Sequence, residues 1–127
     1  MIVTYTGNDS SPFVKGDDYF YFEIYINKIR NTVSYWMVNV YGEIAIHGSG
    51  LFVVKDGQLK NMIFNKVDYG FVLRLEDIQK LDDSCNDVNG LWGAYHDGDR
   101  LIEEKVHEVI AKQAELEGVQ LMKLVAL

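Results

Sequence analysis

One cysteine, Cys85, stands alone in 127 residues, so no intramolecular disulfide braces the chain and its stability has to come from packing. Long apolar runs are missing as well: none reaches the roughly 18 residues that a membrane span needs. The start, MIVTYTGNDS, has neither a basic n-region nor an apolar h-region, so the expected address is cytoplasmic. Bases are few, 12 against 19 acids. The resulting net charge of -7 speaks against direct nucleic-acid binding, whose affinity comes from Lys and Arg neutralising phosphates. No repeat, low-complexity tract or linker divides the sequence, and with 48% hydrophobic residues residues 1–127 are expected to form one domain.

What is present is unevenly placed. Residues 1–75 carry seven acids and seven bases, and residues 109–127 carry two of each. The stretch 76–108 holds ten acids against three bases, and so contains the whole net charge. A concentrated negative surface attracts a basic partner and speeds encounter. Local chemistry explains such a cluster too: Asp99, Glu103 and Glu104 fall where a helix N-terminus favours acids, while Asp82, Asp83, Asp87 and Asp97 are ordinary loop residues.

Alternation predicts β structure over the first two-thirds. In residues 19–26, Phe20, Phe22, Ile24 and Ile26 take one face while Tyr19, Tyr21, Glu23 and Tyr25 take the other. A polar turn at 27–31 leads to a β-branched and aromatic run at 32–41, and 43–47 alternates again. The pair Asp56-Gly57 between the apolar runs 51–54 and 59–64 predicts a hairpin, because both residues tolerate positive φ. A strand at 71–75 gives way to Leu75, Ile78 and Leu81 at helical spacing, which predicts a short helix. Within the long connection 82–99, residues 91–95 are expected as a short strand or plug, with turns at Asn89-Gly90 and Asp97-Gly98.

After Gly98 the period becomes helical. Ile102, Val106, Val109, Ile110, Gln113 and Leu116 share one stripe, Glu104, Glu108 and Glu115 form a ridge opposite, and Asp99 and Gly118 bound an amphipathic helix of about 100–117. The tail 119–127 is apolar on both faces, which predicts a last strand. Six or seven strands at ~4.8 Å spacing span ~30 Å, whereas one helix covers about 10 Å of one face. The expected fold is therefore α+β, a strongly curled, mostly antiparallel sheet of six or seven strands packed on the C-terminal helix. If an aromatic face is left uncovered, Tyr19, Tyr21 and Tyr25, with Trp36, offer a route to a homodimer.

Chemical motifs fail on inspection. His47-Gly48-Ser49-Gly50 lacks the glycines two residues either side of Ser49 and the following helix that a nucleophile elbow requires, and Val53 stands where a dinucleotide loop needs its third glycine. Aligning Asn89-Gly90 with a calcium loop puts Cys85 and His96 at the first and twelfth positions, where carboxylates are needed. His47, His96 and His107 offer no pair at zinc-ligand spacing with Cys85. Hence no catalytic residue, metal or cofactor is expected. The preferred reading is a non-catalytic acidic protein that docks onto a basic partner, as an inhibitor, immunity or anti-defence protein, through Asp87, Trp92, Tyr95, Asp97, Asp99, Glu104 and Glu108. The alternative is a small-ligand-binding protein or small hydrolase whose pocket gathers His47, Ser49, His96, Asp97 or Asp99.

Overall fold

The computed structural model describes residues 1–10 and 12–119; the strand expected at 119–127 lies, apart from Val119, outside them. Among the described residues, seven antiparallel strands and three helices make an α+β fold: β1 (Ile2–Tyr5), β2 (Asp18–Asn27), β3 (Thr32–Val38), β4 (Ile44–Gly48), β5 (Phe52–Asp56), β6 (Met62–Val67), β7 (Gly70–Leu75), α1 (Glu76–Asp83), α2 (Gly90–His96) and α3 (Arg100–Leu116). The ten-residue β2 is the spine. Its start pairs with β1 and its second half is flanked by β3 and β7. The order β4-β3-β2-β1-β5 is completed by β6, which pairs with β7.

Turn chemistry explains the connections. Asn27 Oδ1 accepts the Ile29 and Arg30 amides, and Asn31 sits at φ 54, closing the β2–β3 hairpin. The tight hairpin further on joins β6 to β7, where Gly70 is needed because a Cβ there would collide with the Ile26 carbonyl. The hairpin expected at Asp56-Gly57 does not form. Asp56 Oδ1 does accept the Gln58 amide in a local turn, yet β5 pairs with β1 and β6 with β7. A turn residue directs the chain only locally, whereas strand partners are chosen by the faces they bury.

Two other expectations are corrected. Residues 91–95 belong to the helix α2, whose Leu91, Ala94 and Tyr95 are buried at helical spacing. Its start is held by the Leu91 amide on Asp82 Oδ1 and by Gly90 at φ 74. The tyrosine face offered for a homodimer is interior: Tyr19 and Tyr21 are 6% and 1% exposed. Tyr19 packs edge-on against Phe13 at 4.9 Å, and Tyr21 lies 5.0 Å from Tyr35. Trp36 is buried too, and Tyr25 is half-buried beside Tyr69. The first half of β2 is thus covered on both faces.

Asp99 caps α3, its Oδ1 accepting the Leu101 and Ile102 amides at 3.1 and 3.2 Å. Replacing Asp99 by Ala is expected to cost about 1 kcal/mol in urea unfolding; no change would show that the helix start is held otherwise. The buried stripe of α3 is Glu103, Val106, Ile110, Gln113 and Ala114, rotated from the expected one so that Leu116 is 65% exposed. Glu104, Glu108 and Glu115 face outward.

Candidate functional site

The acidic stretch folds into one group of elements. α1, α2 and α3 touch each other, so carboxylates spread over 76–117 are gathered on neighbouring helices. Their fates differ. Asp82 pairs with Arg74 at 2.9 Å, and Glu76 and Asp77 lie near Lys80. Asp87 Oδ1 accepts the Asn89 amide, and Asp99, although exposed, is engaged as the cap. Asp97, Glu104, Glu108 and Glu115 are exposed and, among the described residues, make no ion pair. Glu108 leaves Lys112 unused.

The two aromatics singled out for docking are placed differently. Tyr95 is 0% exposed, its hydroxyl 2.6 Å from His107 Nε2, so it is a core residue and cannot touch a partner directly. Burial pushes its phenol well above the usual range and holds the His107 imidazole below its own. Trp92 is half-buried, stacked on Trp36 of β3 with centroids 4.4 Å apart. An aromatic cluster with a polar rim was legible in composition.

Behind α2 lies a buried network that the sequence reading missed by placing Glu23 on an outer tyrosine face. Glu23 is 1% exposed. Arg74 Nη2 donates to its Oε2 at 3.2 Å, Arg74 Nε lies 3.1 Å from Oε1 without the alignment of a hydrogen bond, and Trp92 Nε1 donates at 3.3 Å. Arg74 Nη1 reaches on to Asp82 and Gln79. Desolvation pushes the Glu23 carboxyl up to about 7, outweighing the pull of Arg74 and the hydrogen bonds from Arg74 and Trp92. The available signal was a charged residue on each of two apolar strands, Glu23 and Arg74, which lie directly opposite in the β2–β7 register.

The polar groups offered for a hydrolase do not converge. His47 pairs with Tyr35 across β3–β4, while His96 stacks on Trp36. Consecutive residues of a strand point to opposite faces, so the two histidines lie on opposite sides of the sheet. The His47 ring is set edge-on to Phe13 at 4.7 Å with Nε2 unpartnered, and burial depresses its basicity. None of the five lines the open cavity of about 720 Å³ bounded by Tyr19, Phe20, Val38, Val40, Lys55 and Asp56 among others. Among the described residues no group of three His, Cys, Asp or Glu could hold a metal ion, and no helix is long and apolar enough to cross a membrane. No family model matches this sequence, and no curated protein or solved structure matches it.

Proposed function

We propose that this protein is a non-catalytic binding module whose acidic helical face docks onto a basic surface of another protein, as an inhibitor, immunity or anti-defence protein does. The observation that carries the reading is that Asp97, Glu104, Glu108 and Glu115 stand exposed on adjoining helices without ion pairs among the described residues. The acids with structural duties, Asp82, Asp87 and Asp99, are separate from this free set. Exposed Leu101 beside them supplies apolar area for an anchored contact. In this reading the sheet is strongly curled, with both β4 and β5 reaching Phe13 through His47 and Phe52, and α3 lies in its hollow with the glutamate ridge outward.

The test is charge reversal. A partner captured by in-cell cross-linking is purified, and its association rate is measured at low and high salt for the native chain and for a variant carrying D97K, E104K and E108K. The reversal is expected to slow association by about 10-fold or more, with the native rate falling as salt rises. A control reversing the remote Asp9 and Asp68 should leave the rate alone. Equal rates for the native chain and the triple variant, with intact circular dichroism, would end the docking reading.

A further inference from the structure

We propose that β6 is a self-association edge: two copies of the chain join their β6 strands antiparallel about a two-fold axis through Asn65, continuing one sheet across the pair. Among the described residues β4, β5 and β6 each pair on one side alone. β4 has five residues and runs straight into a 3-10 turn at Ser49–Leu51. The register of β5 with β1 shifts between Ile2 and Val3, an irregularity of the kind that turns an edge away from neighbours. β6 has neither of these two features, and its one edge charge is Lys66. Its six residues keep unbroken register with β7, from Met62↔Leu75 to Val67↔Gly70, and it presents Phe64 at 59% exposure. A regular apolar edge is a template for another strand.

Why the occupant is a second copy follows from the residues on that edge. A two-fold perpendicular to the sheet must pair residues of the same face, so its centre falls on a residue. Centred on Phe64, it would set Phe64 on Phe64 and Met62 on Lys66. Centred on Asn65, it sets Ile63 on Val67 and, twice over, the Phe64 ring beside Lys66 of the second copy. Like meets like in the first of these pairs, and a ring meets an ammonium in the second. The same surface already uses that contact: Lys28 Nζ lies 4.6 Å from the Phe71 centroid, and Phe71 lies 4.8 Å from Phe64. No like charges oppose each other along β6, whose one charged residue is Lys66. The surplus acids sit on the helices instead, so this edge can close without the repulsion a net charge of -7 would otherwise impose.

One strand edge buries less than the ~1,200 Å² of a standard stable interface, so the dimer is expected to be weak, half formed only at roughly 100 µM. Sedimentation equilibrium of the full chain from roughly 10 µM to 1 mM spans that range. Phe64→Lys, which sets two ammonium groups together, should weaken association about 10-fold or more, whereas Phe64→Glu, which meets Lys66, should hold or tighten it. In a Cys85→Ser background, Asn65→Cys should cross-link to itself faster than Val53→Cys on β5. A monomer throughout, equal weakening by both Phe64 variants, or equal cross-linking from β5 would each overturn the proposal.

Discussion

Replacing Arg74 by Met is expected to lower the unfolding free energy by about 3–5 kcal/mol at about pH 8, where Glu23 is ionised. Met keeps most of the apolar stem, so the loss isolates the guanidinium. Glu23 is 1% exposed, and without Arg74 its remaining hydrogen-bond donor among the described residues is Trp92 Nε1 at 3.3 Å. A carboxylate stripped of its counter-charge in that setting must either stay ionised without solvent or take up a proton. The loss should therefore shrink at about pH 5, where a protonated Glu23 needs no cation. Asp82 loses its partner as well, but its side chain is 30% exposed and water can replace the contact. Adding Glu23→Leu to the Arg74→Met variant should restore much of the stability, since removing a buried pair together is far cheaper than removing half of it. Urea unfolding of the two single variants and the double variant measures this coupling. A loss under about 1 kcal/mol for Arg74→Met alone would mean that the pair is a surface-like contact.

That network shows where the sequence was readable and where it was not. The alternation of β2 separates Phe20 and Phe22 from Tyr19, Tyr21 and Glu23. The register with β3 shifts between Tyr21 and Glu23, however, which sets Tyr21 against Met37 and Glu23 against Trp36 on the other face. Nor does alternation say which of the two faces is covered. Here both are, because the Phe13 segment closes over one side of the strand start and the helices over the other. Glu23 and Arg74 become partners only through the β2–β7 register, which no local pattern encodes. The Asp56-Gly57 pair reads as a hairpin and no hairpin forms there, because turn propensity is local and pairing is tertiary. Seven residues of α2, with Gly93 and Trp92 among them, are too few for a period to declare itself. The acidic stretch was more readable, since charge along 76–108 is a linear property and that stretch builds α1, α2 and the first half of α3. Dividing those carboxylates into caps, buried pairs and free groups needed the hydrogen bonds.

Glu23 also sets a pH dependence with a definite sign. Burial pushes its carboxyl up to about 7 in the folded chain from an ordinary value of 4.5. Between those values the folded state holds a proton that the unfolded chain has released, so unfolding free energy falls as pH rises. The contribution is complete below pH 4.5 and lost through about 7, a change of about 3 kcal/mol at ~1.36 kcal/mol for each pH unit. His47 and His107 work in the opposite sense: burial lowers both, so the unfolded chain protonates first on acidification below about 6.5 and stability drops. Asp18, lowered chiefly by its hydrogen bonds from Lys55 and Thr4, acts only at more acid pH than this window. The native profile is therefore a sum of opposing slopes, and the informative quantity is the difference between the native chain and Glu23→Gln. Measured by urea unfolding from about pH 4.5 to 8, that difference should shift steadily against the native chain as pH rises and level off above about 7. Parallel curves would place the Glu23 carboxyl in the ordinary range and show that Arg74 and Trp92 compensate its burial in full.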